Sequence, residues 1–476
     1  MLRSTKIKKT SEKKMAYRVN SIEVPLDNPF ANDAFERREV VELLKNLVAR
    51  TGGPFVMALD SPWGTGKSVL VQMLRATLSN EDFQCVYFDA WKSDHVIDPL
   101  VALVASVESA LKEASRKKAL PGIKNVKKIT GILAKRGAVA GIKAVTLGGL
   151  DLDEEVEAIV AELGSDSFSD MVDAYKVEVA LFDRFRTELE KTVSALESNG
   201  KKPTLVFFID ELDRCRPSFA IQLLERIKHL FDLANIFFVL SVDKKQLEAV
   251  VRAVYGNSID AQEYLRRFFD IEYGLPSGDS KAFTMAMLQG FDIDSYFFDE
   301  NGRGPVGLVQ DRELFVEYFT ALADIYGLTL RARERCITRF KIVLDLTPKK
   351  QNLHPQLVAL LIVVRAIDYP LFKKITDGAI TPFEVLDDIR GRDGGVAFED
   401  SDEGCILLGL LIAYFPVEKE GLAHRNFAIR KMEASSGDQE KKWTLVAQVV
   451  TTEKKYTNIG NFKNTARKID IASGVK

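Results

Sequence analysis

Cysteine is scarce: Cys85, Cys215, Cys336 and Cys405 are the only four in 476 residues, and no two form a CxxC pair. That spacing excludes a zinc-ribbon or disulfide framework and suits reduced thiols in a cytoplasmic protein. Net charge is scarce too. Sixty-six lysines and arginines against 68 aspartates and glutamates leave −2, which argues against a chain given over to coating nucleic acid but leaves local basic patches open. Long apolar runs are missing. The basic start, MLRSTKIKKTSEKKMAYRV, is followed by no apolar stretch of the kind a secretory signal needs, and residues 1–20 are expected to form a flexible, solvated tail. The runs Leu357–Val364 and Cys405–Phe415 fall short of the roughly 20 residues a bilayer requires and are expected as buried core helices. No internal repeat is visible. What is there is an ordinary globular composition, 46% hydrophobic and 28% charged, long enough for roughly two to four domains.

From Pro54 to Pro276 strand-like and helix-like segments alternate. FVMALD (Phe55 to Asp60) precedes a Pro-Trp-Gly loop and the helical pattern VLVQMLRATL. CVYFDAW (Cys85 to Trp91) has the β-branched and aromatic character of a buried strand. TLVFFIDELD (Thr204 to Asp213) and NIFFVLSVD (Asn235 to Asp243) are continuous apolar runs ending in acids, and RFFDIEYGLP (Arg267 to Pro276) reads as a last strand. Such runs suit a parallel sheet covered on both faces, so the fold class is α/β with a doubly wound parallel sheet. Between Lys92 and Pro203 a long helical insertion is expected, basic first (Lys112, Arg116, Lys117, Lys118, Lys124, Lys127, Lys128, Lys135, Arg136, Lys143), then acidic (Asp151, Asp153, Glu154, Glu155, Glu157, Glu162). The expected organisation is a core of 21–91 and 204–276, the insertion 92–203, a mainly helical domain 277–417, and a polar appendage or tail 418–476.

The segment SPWGTGKS approaches the phosphate-loop pattern G-x-x-x-x-G-K-[ST], set between a strand and a helix as that pattern demands. Gly66, Lys67 and Ser68 match, while Ser61 replaces the first glycine. That glycine eases the turn out of the strand, and serine does the same at negative φ, with Gly64 and Gly66 left to shape the cradle. Pro62, Trp63, Gly64, Thr65, Gly66, Lys67, Ser68 and Val69 are expected to cradle the cofactor, with backbone N–H groups after Pro62 and a helix start forming the anion site. Lys67 is expected to neutralise β- and γ-phosphate charge, and Ser68 to ligate Mg²⁺. A second Mg²⁺ ligand is expected at the end of another apolar strand, where Asp210 stands, with Glu211 beside it as base toward water. Two acids there also suit a solvated strand end or a helix N-cap. Asp243 is placed to sense the γ-phosphate, as is Ser241, although DKKQLEAVV equally makes Asp243 an N-cap. For the arginine that meets transition-state charge, Arg266 and Arg267 lead, then Arg214, with Arg331 a candidate nucleotide contact; each also reads as a solvated surface residue.

Together these segments resemble the KAP family of P-loop NTPases, over about Asp27 to Phe340. The resemblance rests on PWGTGKS with Trp63, FDAWKSDHVIDPL with Trp91, FFIDELDRCRP, ANIFFVLSVDKKQL, the lead-in DNPFANDAFERREVVELL and LTLRARERC. It implies ATP and Mg²⁺ as ligands and slow hydrolysis driving a conformational switch, in a family found in bacteria and on mobile elements with members implicated in phage exclusion. It also implies a protein partner or self-association. Ser61 departs from the pattern. So does the segment Ile129–Leu150, where many members carry membrane spans: Lys135, Arg136 and Lys143 interrupt it, so no span is expected. A basic helix lying on an anionic membrane, or a nucleic-acid contact, remains a competing use of that charge. A non-hydrolysing nucleotide-sensing scaffold competes with the hydrolytic switch.

Overall fold

In a computed structural model the chain forms two compact units, Glu23–Ser277 and Gly278–Lys476. The structure describes residues 23–33, 35–96, 98–114, 122–138, 171–276, 278–298, 306–347, 354–416, 418–453 and 459–471. The expected tail 1–20, the basic residues Arg116, Lys117, Lys118 and Lys143, and the acidic run Asp151 to Glu162 lie outside them.

The first unit is built on five parallel strands: β1 (Phe55–Asp60), β2 (Gln84–Asp89), β3 (Leu205–Asp210), β4 (Ile236–Val242) and β5 (Ile271–Gly274), in the order β2-β3-β4-β1-β5. Every residue of β3 and β4 is buried, as central strands of a sheet covered on both faces must be. Their side chains alternate between two cores. Val206, Phe208, Phe237 and Val239 meet the helices Arg38–Arg50 and Lys67–Asn80. Phe207, Ile209, Phe238 and Leu240 meet Pro99–Ala114, Met171–Ser194, Pro217–Leu230 and Lys244–Tyr255 on the other face. There Phe207 and Phe238 stack at 4.6 Å and Phe231 meets both edge-on, at 5.5 and 5.7 Å. Phe185, from the segment expected as an insertion, meets Phe231 edge-on at 5.5 Å. The described helices of that segment therefore complete one face of the core.

Parallel strands put all their carboxyl ends on one edge. Here that edge collects acids: β1, β2 and β3 end in Asp60, Asp89 and Asp210, and Asp243 follows β4 directly. The loop from Ser61 to Gly66 leaves the sheet at the same edge.

Among its described residues the second unit is helical. Pro355–Ile367 and Asp402–Ala413 carry the two apolar runs, and Leu357 to Val364 are all buried. The stretch expected as a polar appendage or tail includes the helices Glu418–Ala434, Asp438–Glu453 and Ile459–Ile471, which bury Ala428, Val446, Val450 and Ile469. Among the described residues no helix is long and apolar enough to cross a membrane; residues 139–150 of the segment weighed as a span lie outside them.

Candidate phosphate-binding site

The chain leaves β1 at Asp60 and starts the helix Lys67–Asn80 through a loop from Ser61 to Gly66. Gly64 and Gly66 hold φ of 78° and 83°, left-handed values that a side chain resists. Ser61 is not among the positive-φ residues. It is buried, its N–H donates to the Val242 carbonyl at 3.1 Å, and its hydroxyl donates to Thr65 Oγ1 at 2.7 Å. Thr65 in turn donates to the Pro62 carbonyl at 2.8 Å. The serine in the first glycine's place thus fastens the loop across its own neck.

Two partners hold the loop from outside. Asp243 accepts Trp63 N–H at 3.2 Å through one oxygen and Gln246 N–H at 3.4 Å through the other, so it caps the helix Lys244–Tyr255 and tethers the loop together. Arg37, which precedes the helix Arg38–Arg50, donates to the Thr65 carbonyl at 2.9 Å and the Gly66 carbonyl at 3.4 Å. The N–H groups of Gly64 to Ser68 meet no protein acceptor among the described residues. They are orphan donors at a helix start, the arrangement that attracts anions. Val69 packs below the loop in the core, and Pro62 is exposed above it.

Lys67 is buried, its ammonium donating to the Ser61 carbonyl and, at 3.4 Å, to that of Pro62. Burial pulls its pKa down, while Asp213, Asp243, Asp210 and Asp60 push it back up. A cation held by loop carbonyls and distant acids is available to a stronger anion. Asp210 is buried and accepts the Tyr87 hydroxyl at 3.2 Å and Glu211 N–H at 3.0 Å. Next to it in register, on β4, the fully buried Ser241 hydroxyl has no hydrogen-bond partner among the described residues. Ser68 is half-buried. Among the described residues no three acids, cysteines or histidines are grouped to hold a metal. A divalent ion between Ser68 and Asp210 therefore needs phosphate and water oxygens to fill its shell, which is how Mg²⁺ binds beside nucleotides.

Glu211 adopts φ 62°, a conformation rare outside glycine, and its carboxylate lies 2.5 Å from Arg214 Nε. Burial raises its pKa above the ordinary glutamate value; Arg214 pulls it back, and Asp210, Asp213 and Asp89 push it further up. The Arg214 guanidinium lies between two exposed rings, 5.6 Å from Trp63 and 5.7 Å from Trp91. Trp63 Nε1 donates to the buried Asp213, whose pKa burial also raises. Sequence reasoning missed Asp213 and Arg37. Asp213 stood two residues past Glu211 within a motif already singled out; nothing in spacing distinguished Arg37 from the arginines around it.

Arg266 and Arg267 are elsewhere. Both are exposed, Arg266 pairs with Glu263 at 3.1 Å, and the Arg267 carbonyl accepts Lys228 near the end of the helix Pro217–Leu230. They precede β5, and Asp270 N–H already reaches Val56 at the start of β1. Tyr264, beside them, meets Tyr255 with ring centroids 5.1 Å apart at a tilt of 49°, and Tyr255 is the last residue of the helix whose first residue, Lys244, adjoins Asp60. That helix spans about 16 Å. The pair thus lies before β5, toward the end of the sheet where β1 starts, whereas Arg37 and Arg214 both adjoin the loop, the first through its carbonyls and the second through Trp63. Arg331 belongs to the second unit, exposed at the start of Leu330–Asp345, where Arg333 is buried against Asp324 at 2.5 Å.

A phosphate loop with an opposed acidic strand on a parallel sheet defines a P-loop nucleotide-binding domain. The KAP family P-loop domain matches residues 37–343, and the chain belongs to that family. An uncharacterized protein of Methanocaldococcus jannaschii is 31% identical over 178 residues, covering 33% of this chain and 89% of that protein. The structure of C. elegans PCH-2 aligns at 12% identity with a TM-score of 0.30, over 70% of this chain and 68% of that one.

Proposed function

We propose that the chain binds ATP with Mg²⁺ and hydrolyses it, using the cycle as a conformational switch that controls a protein partner or its own assembly, in the cytoplasm, in signalling or defence against phage. The observation that carries this reading is the row of N–H groups from Gly64 to Ser68 that meet no protein acceptor among the described residues, together with Lys67, Asp210 and, beside Asp210 in register, a Ser241 hydroxyl without a described partner. It supports a ligand with several anionic oxygens and a cation. The core is 21–91 and 204–276, with 92–203 inserted, 277–417 following as a helical domain and 418–476 as an appendage.

Mg²⁺, when bound, neutralises charge on the β- and γ-phosphate oxygens. The chain supplies the rest. Lys67 exchanges the Ser61 carbonyl for phosphate oxygens, and the loop N–H groups orient the chain of phosphates. Ser68 and Asp210 hold the cation. Glu211 takes a proton from water as its oxygen bonds to the γ-phosphorus and the bridge to the β-phosphate breaks. Asp243 and Ser241 register the γ-phosphate, the first through its bond to Trp63. Arg331 contacts nucleotide from the helical domain. Transition-state charge is met by Arg214, or by Arg266 and Arg267 of a neighbouring copy.

A second reading has its own support. With Arg214 on its carboxylate, Glu211 is engaged in an ion pair rather than free to act on water, as suits a nucleotide-sensing scaffold without turnover. Phosphate release from Mg-ATP, with wild type, Lys67→Ala and Glu211→Gln, separates the two. Turnover by wild type, a loss of roughly 100-fold or more in both variants, and ATP retained by Glu211→Gln support the switch. Bound ATP without phosphate release under any condition supports the scaffold. DNA, RNA or anionic vesicles added to the same assay test a partner for the exposed Lys124 and Lys127, the latter already paired with Glu108 at 2.8 Å.

A further inference from the structure

We infer that Arg37 is a positioning residue of the phosphate loop, fixing which way its peptide units face; the inference rests on the nucleotide-binding reading above. Arg37 stands 28 and 29 residues before the two carbonyls it holds and is only 5% exposed. Its guanidinium makes no ion pair among the described residues: Nη2 donates to Thr65 O at 2.9 Å, Nη1 to Gly66 O at 3.4 Å, and the group rests 4.9 Å from the Phe35 ring. Asp33 attracts it at longer range. A buried cation spent on two backbone carbonyls is unusual, because desolvating a charge costs several kcal/mol where no anion compensates. Its benefit belongs to the loop.

The stereochemistry is elementary. In a planar trans peptide the C=O of one residue and the N–H of the next point in opposite directions. Holding Thr65 O and Gly66 O on the side of Arg37 turns the N–H groups of Gly66 and Lys67 to the other side, where no protein acceptor among the described residues meets them. Gly66 is where a flip is easiest, since glycine enters left-handed and right-handed regions about equally. The forked guanidinium removes that freedom at two successive peptides, as a lysine's single ammonium does not. Behind the row it also leaves a positive charge that strengthens the N–H groups as donors to an anion.

The test uses the full chain with Arg37→Lys, Arg37→Gln and Arg37→Met, and three probes: Mg-ATP, Mg-ADP and inorganic triphosphate. Dissociation constants are read by calorimetry, KM and kcat by phosphate release, and the nucleotide-free unfolding midpoint for each protein. The Gln and Met variants are expected to bind all three probes about tenfold or more weakly. The factor should be similar for each probe, because the defect lies in the phosphate cradle. KM should rise while kcat at saturation stays within about twofold, and Lys should recover part of the loss. A residue that only holds the fold would instead lower the unfolding midpoint and leave the affinity of the folded fraction alone. Folded variants that bind like wild type sink the role of Arg37 and leave the nucleotide reading standing. Failure of wild type itself to bind any probe sinks both.

Discussion

Glu211 and Arg214 form a pair whose chemistry is set by its surroundings. Burial and three nearby aspartates favour the protonated carboxyl, and Arg214 alone among the named influences opposes them. A base with a raised pKa loses its working form earlier as pH falls, so hydrolysis is expected to decline on the acid side above the range of an ordinary glutamate. Arg214→Ala removes the opposing charge, and the acid limb of the kcat–pH profile should then move to higher pH. A profile unchanged by Arg214→Ala would mean that Glu211 is not the group that titrates. Ser61 is instructive in a different way. Its tolerance was legible from the backbone the position needs, but its hydrogen bond to Thr65 was not. Whether a hydroxyl finds a partner four residues on depends on how the whole loop closes.

The central strands were legible because each is a short apolar run halted by an acid: TLVFFID contains β3 and NIFFVLSVD contains β4. Their order was not. Central parallel strands are apolar on both faces, so the residue pattern of β3 carries nothing that selects β4 or β1 as its neighbour. The stretch FDRFRTELEKTVSALE, most of which lies in the helix Met171–Ser194, reads as amphipathic but not as a wall of the core. That emerges from Phe185 meeting Phe231, which itself abuts Phe207 and Phe238. Phe231→Ala leaves a cavity where these elements converge, and should cost about 3–5 kcal/mol of stability, read from the urea midpoint of unfolding. A cost below about 1 kcal/mol would show that the helix docks without depending on that ring. Arg37 was illegible for a related reason. In FERREVVELL one arginine looks like the next until the helix they precede is laid beside the loop.

At the scale of the molecule, the phosphate loop follows β1 whereas the pair Arg266–Arg267 precedes β5, so a hydrolytic role for that pair is expected to act on a second copy of the chain. Mixing inactive Lys67→Ala with an Arg266→Ala/Arg267→Ala double variant should then restore part of the phosphate release, each protein supplying what the other lacks. No recovery, or a double variant as active as wild type, would leave Arg214 as the arginine of the reaction. Trp63 in the phosphate loop and Trp91 in the helical turn after β2, both within 6 Å of the Arg214 guanidinium, have one more consequence. The whole chain holds three tryptophans, and the third, Trp443, lies in the second unit against Phe427. Two of the three emitters thus border the phosphate loop beside a carboxylate and a guanidinium, groups that perturb indole excited states. The protein carries its own optical reporter: with Trp443→Phe, emission at the loop can follow ligand arrival in a stopped-flow instrument, without a dye.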